Sequence, residues 1–257
     1  MKNINLNSDI GEGFGVYDIG NDTEMLKIVN SANIACGFHA GDPNVMDRVV
    51  KQSIKNGVSI GAHPGFNDLW GFGRRQIQMS TDEIEASVAY QIGALQAISA
   101  TNNAIVTHVK PHGALNNMSS LDPDIAAAIA KGVNLVDPKL ILVAVSGSFL
   151  FSAGQALGLT VAAEAYADRS YEDDGNMTSR KYDHAMIKDP EKAAAQVRNI
   201  VINGYKTANS GKKVPVRADT ICIHGDEPTG PAVAHAVRKM LESEGIAVKP
   251  LPQLNFS

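Results

Sequence analysis

The sequence has few charged residues and no basic cluster of any length. Charged residues make up 19% of the 257 positions, and the formal net charge is −4. A chain with this balance has no general electrostatic attraction to nucleic acid or to an anionic membrane. The two basic pairs, Arg74-Arg75 and Lys212-Lys213, are too short to form a binding face. We therefore expect neither a nucleic-acid partner nor a membrane partner.

Cysteines and long apolar runs are also scarce. Cys36 and Cys222 are too few for a disulfide framework, and neither belongs to a CxxC pair. The N-terminal segment MKNINLNSDIGEG lacks the apolar core of a signal peptide, and no apolar run is long enough to span a bilayer. These absences predict a reduced, cytoplasmic protein.

What the sequence does contain is an alternation of amphipathic helical segments and short apolar runs. Three helical segments begin at Asp-Pro and end at Gly (42–57, 122–132 and 189–204), and a fourth begins with the capping box Ser80-Thr81-Asp82-Glu83. Asp caps free N–H groups, Pro is tolerated at the first helical position, and Gly adopts the left-handed exit. Strands are predicted at Ile4–Ile10, Ala32–Cys36, Val58–Ala62, Ile105–Val109, Leu140–Val145, Leu159–Ala163 and Thr220–Ile223.

The order of these elements indicates the fold class. About seven strands, each followed by a helix or a long loop, are typical of a parallel sheet. The length is close to that of one β/α barrel, and a doubly wound open sheet is the alternative. No repeat or linker divides the chain. We predict an α/β fold consisting of a single seven-stranded, TIM-like β/α barrel, with one catalytic domain spanning residues 1–257.

Polar side chains collect where the apolar runs stop. Five of the seven histidines lie at predicted strand ends. In a parallel β/α fold these ends face the same side, so residues distant in sequence converge there. The sequence therefore predicts a functional cluster on this rim, and its members are Asp9, Glu12, His39, His63, His108, Lys110, His112, Asp168, Arg169, His224 and Asp226.

Two kinds of chemistry fit such a cluster. Neutral imidazoles and carboxylates can hold a divalent metal that activates water, or they can act directly as general acid and base. The compact HxxH and HExxH patterns are absent, so spacing leaves this choice open. Lys110 and Arg169 would neutralise a substrate carboxylate or phosphate. The chain has no P-loop sequence, so an ATP site of its own is not evident.

Eight segments of the sequence carry a family resemblance, and they run in order from about Asn5 to Asp226 over most of the chain. They are LNSDIGEGFG, SANIACGFHAGDP, NGVSIGAHPGF, GFGRR, YQIGAL, HVKPHGAL, YADRSYEDDG and CIHGD. Together they resemble the LamB/YcsF family of lactam-utilisation proteins.

The resemblance implies a seven-stranded β/α barrel related to polysaccharide deacetylases. It also implies hydrolysis of 5-oxoproline to L-glutamate, coupled to hydrolysis of ATP, in a complex with two other subunits, B and C. By matching motif positions we expect catalytic roles for Asp9, Glu12, His39, His63, Lys110, His112, His224 and Asp226. Substrate contacts are expected from Asn7, Arg75, His108, Asp168 and Arg169.

A resonance-stabilised lactam resists attack by water, so its hydrolysis requires groups that activate water and groups that stabilise negative charge. Asp9 or Glu12, with a histidine, would position and deprotonate water, while Lys110 or Arg169 would hold the substrate carboxylate or the developing negative charge. On this hypothesis the Lys110→Ala substitution depresses activity and leaves the fold intact.

Two other functions compete with this one. A metal-dependent, deacetylase-like amide hydrolase would bind metal tightly and act as an isolated chain. A non-catalytic subunit that carries a small carboxylate would bind its ligand without turnover, and its partners would stay active after the strand-end residues are changed.

Overall fold

Seven parallel strands pair in a closed ring that forms the wall of a barrel. In the computed structural model, which describes residues 3–256, the order is β1-β2-β3-β4-β5-β6-β9, and β9 pairs again with β1. The short strand β10 adds to the start of β1. The strands are β1 Asn3–Ile10, β2 Ser31–Ala35, β3 Ser59–His63, β4 Val106–Val109, β5 Ile141–Val145, β6 Val161–Tyr166, β7 Tyr205–Thr207, β8 Lys213–Pro215, β9 Thr220–Cys222 and β10 Ala247–Val248.

The closed ring confirms the predicted seven-stranded barrel and excludes the open doubly wound sheet. The antiparallel pair β7–β8, which lies outside the barrel, was not predicted. The single domain over 1–257 stays a prediction, and its residues 1, 2 and 257 lie outside the described part. Within residues 3–256, no helix is both long enough and apolar enough to cross a membrane.

The helices surround the barrel, and their ends follow the signals in the sequence. The Asp42 side chain accepts the amides of Asn44 and Val45 at the start of α2, and Gly57 ends that helix at a φ of 67°. Ser80 and Glu83 form the predicted capping box. The helices are α1 Asp22–Met25, α2 Pro43–Asn56, α3 Thr81–Thr101, α4 Gly113–Leu121, α5 Pro123–Val136, α6 Phe149–Ala156, α7 Pro190–Arg198 and α8 Gly230–Ser243, with a π-helical turn at Asn199–Asn203 and 3₁₀ turns at Asp183–Ala185 and Leu251–Gln253.

One predicted helix end is wrong. The helix that begins at Pro123 does not stop at Gly132 but continues to Val136. Gly132 is buried within α5, where a Cβ atom would stand 2.9 Å from the carbonyl oxygen of Glu85 in α3. Gly132 therefore allows α5 and α3 to pack closely, and it does not end the helix in a left-handed conformation.

The sixth strand is also displaced from its predicted bounds. It runs from Val161 to Tyr166 instead of ending at Ala163, so Glu164 lies within the strand. Glu164 interrupts the apolar run in the sequence, but its carboxylate is buried inside the barrel and lies 3.1 Å from the Lys110 ammonium. The prediction therefore ended this strand too early, because it took the polar side chain of Glu164 as the end of the strand.

The barrel interior contains a connected polar network. The Asn7 amide donates to Thr220 Oγ1 at 2.7 Å and to Glu164 Oε1 at 3.0 Å. Asn33 donates to Asn7 Oδ1 at 2.8 Å, and its own Oδ1 lies 3.1 Å from His108 Nε2. All five side chains are buried, and their hydrogen bonds satisfy groups that would otherwise be costly to remove from water. The network lies inside the barrel, beneath the residues at the carboxyl-terminal ends of the strands.

Candidate active site

A cavity of about 580 Å³ opens at the carboxyl-terminal ends of the barrel strands. Its walls come from the residues that follow β1, β3, β4, β6 and β9 and from the loop after β6. In parallel β/α barrels this face carries the functional groups. The charged and imidazole side chains that line it are Asp9, Glu12, His63, Arg74, Lys110, His112, Arg169, Arg180, Lys181, His224 and Asp226.

Glu12, His39, His63 and His112 form a buried group that we call the histidine cluster. The imidazole rings of His39 and His112 stack with centroids 3.7 Å apart. Glu12 Oε1 lies 3.4 Å from His39 Nε2 and 3.3 Å from His112 Nδ1. His112 Nδ1 lies 3.0 Å from His63 Nε2. The loops after β1, β2 and β4 and the last residue of β3 thus converge on one point.

Burial governs the charge states in this cluster. Burial raises the pKa of Glu12, although His112 opposes the shift. Burial likewise lowers the pKa of His39 and of His112 well below the ordinary imidazole value. A low imidazole pKa favours the neutral ring, which has one lone pair available for a proton or a metal ion.

Lys110 joins two carboxylates below the cavity. Its ammonium lies 2.9 Å from Asp9 Oδ1, 3.1 Å from Glu164 Oε1 and 3.0 Å from Cys222 Sγ. Although burial opposes the charge, Asp9, Cys222 and Glu164 raise the pKa of Lys110 well above its usual value. Burial also opposes ionisation of Asp9, but His63 and Lys110 hold the pKa of Asp9 well below its usual value. The Lys110 side chain is 2% exposed, and its ammonium is already paired with protein groups.

Asp168 and His224, which follow β6 and β9, form a hydrogen-bonded dyad. Asp168 Oδ1 lies 2.8 Å from His224 Nδ1, and Asp168 Oδ2 accepts the His224 amide at 2.8 Å. Although burial opposes ionisation of Asp168, the His224 partner holds the pKa of this carboxyl below its ordinary value. The imidazole also stacks on Tyr166. A carboxylate on Nδ1 fixes the tautomer and leaves Nε2 as a proton acceptor.

Two guanidinium groups of the loop after β6 line the same cavity. Arg169 donates to the carbonyl oxygens of Thr178 at 2.5 Å and Ala185 at 3.3 Å. Burial and the neighbouring Arg180 lower the pKa of Arg169. Two guanidinium groups that repel each other favour an anion between them.

The predicted site residues fall into four groups according to their position in the structure. Eight line the cavity, while His39 and Asp168 stand directly behind members of its wall. Asn7 and His108 belong to the interior network, where burial, helped by Lys110, lowers the pKa of His108 to about 3. Arg75 is bound to Asp68 and does not line the cavity. The eight are Asp9, Glu12, His63, Lys110, His112, Arg169, His224 and Asp226.

Sequence reasoning missed several residues of the site. Arg180 lies in a loop, and a loop has no periodicity that indicates where a side chain points. Asn33 lies inside the predicted apolar run Ala32–Cys36, where its polar side chain was read as part of the run. Tyr166 lies in the part of β6 that continues past the predicted strand end at Ala163. The alternation of β6 offered one usable signal, since Glu164 and Tyr166 fall on one face of that strand.

Two groups of side chains have the donor atoms and the proximity to hold a metal ion. One is the histidine cluster, and the other consists of Asp9, Cys222 and His224. In each group the donor atoms lie within 4.8 Å of one another. The Lys110 ammonium already contacts both Asp9 and Cys222, so a second cation is disfavoured in the latter group.

The fold and the cavity define a β/α-barrel protein with a polar, histidine-rich site at the carboxyl-terminal ends of its strands. More particularly, the chain belongs to the LamB/YcsF family, which matches residues 4–256. It is 50% identical to a protein of Natranaerobius thermophilus named as the A subunit of 5-oxoprolinase, covering 98% of each chain. A Rhodopseudomonas palustris protein of the same name is 51% identical, covering 96% of this chain and 98% of its own.

Solved structures show the same barrel. The lactam utilization protein from Thermus thermophilus is 43% identical and superposes with a TM-score of 0.92, covering 98% of this chain and 100% of its own. A T48 deacetylase shares the fold with a TM-score of 0.51 at 14% identity, covering 98% of this chain and 89% of its own. The second likeness concerns the fold alone.

Proposed function

We propose that this chain is one component of an ATP-dependent hydrolase that opens the lactam ring of 5-oxoproline to give L-glutamate. The observation that carries the proposal is the identity of about half of all positions, over nearly the full length, to relatives named as the A subunit of 5-oxoprolinase. The cavity supports a catalytic role for this chain because it combines an imidazole–carboxylate dyad with two guanidinium groups. Two buried free thiols, Cys36 and Cys222, fit the reducing environment of the cytoplasm.

The chemistry requires activation of a poor electrophile. Phosphoryl transfer from ATP to the lactam oxygen forms ADP and makes the ring carbon more electrophilic. Water then adds to that carbon, the C–N bond breaks as the amine takes a proton, and a second water releases phosphate from the acyl phosphate. These steps need a proton acceptor, a proton donor and stabilisation of negative charge.

His224 is the group best placed to move the proton. Asp168 orients its ring through Nδ1, and the imidazole lines the cavity. In this arrangement Nε2 takes a proton from the attacking water and returns it to the leaving nitrogen. The dyad thereby takes over the role that the sequence assigned to Asp9 or Glu12 with a histidine.

Arg169 and Arg180 are the groups best placed to bind the substrate carboxylate. Both line the cavity, and a guanidinium group binds a carboxylate through two parallel hydrogen bonds. Lys110, the other candidate, is occupied by Asp9 and Glu164. Its charge instead helps to hold the pKa of Asp9 well below its usual value beneath the substrate.

ATP and the partner proteins complete the proposal. Because the sequence has no P-loop, we assign ATP binding to the assembled complex with the B and C subunits. The relatives are named as one lettered subunit of an enzyme, which supports a multi-subunit assembly.

The test is glutamate release from 5-oxoproline, measured with this chain alone and after addition of the two partner proteins, with and without ATP. We expect glutamate only when ATP and all three proteins are present, together with one ADP for each glutamate. Absence of glutamate in a complex whose assembly is verified would exclude 5-oxoproline as the substrate.

A further inference from the structure

We propose that the histidine cluster of Glu12, His39, His63 and His112 binds one divalent transition-metal ion, with Zn²⁺ as the best fit. The cluster supplies three imidazole nitrogens and one carboxylate oxygen, the donor types that Zn²⁺ favours in proteins. Its four donor atoms lie within 4.8 Å of one another, and all four side chains are buried.

The hydrogen bonds of two rings fix the direction of their lone pairs. His63 Nδ1 lies 2.6 Å from the Lys110 carbonyl oxygen, and His112 Nε2 lies 2.8 Å from the Phe72 carbonyl oxygen. A carbonyl can only accept, so each of these nitrogens carries a proton. In the neutral rings, His63 Nε2 and His112 Nδ1 are therefore both acceptors. Their separation is 3.0 Å, which brings two lone pairs face to face.

Two carboxylate oxygens lie beside this point. Glu12 Oε1 lies 3.3 Å from His112 Nδ1, and Asp9 Oδ2 lies 3.3 Å from His63 Nε2. Among residues 3–256, Glu12 Oε1 and both ring nitrogens of His39 have no hydrogen-bond partner. A neutral His39 ring has one N–H and one lone pair, so one of its two nitrogens is a further acceptor. Buried acceptors that face one another, as His63 Nε2 and His112 Nδ1 do, repel unless a cation lies between them.

The separations of the donor atoms are close to those of a tetrahedral zinc site. Zn–N bonds of about 2.0–2.1 Å place tetrahedral ligands about 3.3 Å apart. The separations here are 3.0 Å for the two facing imidazole nitrogens, 3.3 Å from Glu12 to His112 and 3.4 Å from Glu12 to His39. A proton between His63 and His112 would satisfy only that pair and would leave His39 without a partner.

The surroundings of the cluster have the features of a metal site. Ligand histidines characteristically donate their second N–H to a backbone carbonyl, as His63 and His112 do here. Two glycines leave room for the rings: a Cβ atom at Gly65 would stand 2.6 Å from His39 Nδ1, and one at Gly73 would stand 2.8 Å from His112 Cδ2. A larger residue at either position would therefore displace the His39 or His112 ring.

The position of the cluster suggests what the ion does. Glu12, His63 and His112 line the cavity, so an ion among them faces the bound ligand. A metal at this place supplies Lewis acidity toward a carbonyl oxygen. That role depends on the proposed lactam hydrolysis, whereas metal binding depends only on the ligand geometry.

Metal binding can be measured without any enzymatic assay. The full chain, stripped with a chelator, is titrated with Zn²⁺ by calorimetry and with Co²⁺ by visible absorption, which reports the coordination geometry. We expect one equivalent of either ion and Co²⁺ bands of a four- or five-coordinate site. His39→Ala and Glu12→Gln should each weaken Zn²⁺ binding by about 100-fold or more. The exposed His235, changed to Ala, is the matched control and should leave binding unchanged.

Two results would overturn the proposal. One is the absence of stoichiometric binding by the stripped, folded chain, which leaves a protonated histidine pair as the explanation of the short contact. The other is affinity that survives both His39→Ala and Glu12→Gln, which places the ion elsewhere. Circular dichroism of each variant verifies folding, and the Glu12→Gln variant keeps the side-chain volume if His39→Ala fails to fold. Failure of glutamate release leaves these outcomes unaffected, so the two proposals are tested separately.

Discussion

Replacing Lys110 with methionine tests whether its ammonium is a structural counter-ion or a free substrate ligand. Methionine keeps much of the side-chain length but removes the charge that lies 2.9 Å from Asp9 and 3.1 Å from Glu164. At an effective dielectric constant of about 20, each pair attracts by about 5–6 kcal/mol before desolvation is subtracted. Removing one partner of a buried ion pair costs about 3–5 kcal/mol, because the other charge is left uncompensated. We expect Lys110→Met to lose stability in this range.

Urea unfolding followed by circular dichroism measures this loss. Combining Lys110→Met with Glu164→Gln should recover part of the stability, because only one of the two carboxyl groups that lose their lysine partner then remains. Lys131→Met, which removes a lysine from a surface pair with Glu85, is the control and should leave the unfolding midpoint nearly unchanged. An unfolding free energy for Lys110→Met within about 1 kcal/mol of the wild type would refute the counter-ion role.

Two further perturbations test the packing and charge of the barrel. Gly61→Ala should destabilise the fold by about 1–3 kcal/mol in urea unfolding, because its Cβ would collide with the His108 ring, whereas Gly93→Ala in α3 has open space and should cost nothing. Burial raises the pKa of Asp22 to about 7, well above its value in the unfolded chain. Between pH 4 and pH 7 the folded state therefore binds the extra proton, and stability falls as pH rises through that window. Asp22→Asn should remove this loss, so its stability relative to the wild type should rise by about 1 kcal/mol for each pH unit between pH 5 and pH 7 and then level off.

One specific result would contradict each of these two expectations. Equal stabilities of the Gly61→Ala and Gly93→Ala variants would show that the His108 ring is not packed against β3. A stability difference between Asp22→Asn and the wild type that does not change from pH 5 to pH 8 would show that Asp22 ionises normally in the folded protein.

The barrel and the rim could be predicted because both depend on local rules. Strands of a parallel barrel end on one face, so His63 at the end of β3 and His112 after β4 had to meet there. Helix caps at Asp42 and Gly57 follow from backbone chemistry within a few residues.

The charge partners could not be predicted, because they depend on distances across the barrel. Lys110 is separated by 101 residues from Asp9, and His224 by 56 from Asp168. The strand ends place these side chains on the same face of the barrel, but the register between strands and the path of each loop decide which atoms touch. For this reason the sequence assigned Lys110 to the substrate, and we now expect its loss to disturb the fold as well as the activity.

The most direct test of the central claim uses the assembled complex with one residue changed in this chain. Glutamate release from 5-oxoproline and ATP is compared for the wild type, His224→Gln and the control His235→Ala, with assembly verified for each. We expect His224→Gln to reduce the rate by about 10²-fold or more, and His235→Ala to leave it unchanged. An unchanged rate for His224→Gln in an assembled complex would contradict catalysis by the Asp168–His224 dyad and favour a chain that only carries the substrate for its partners.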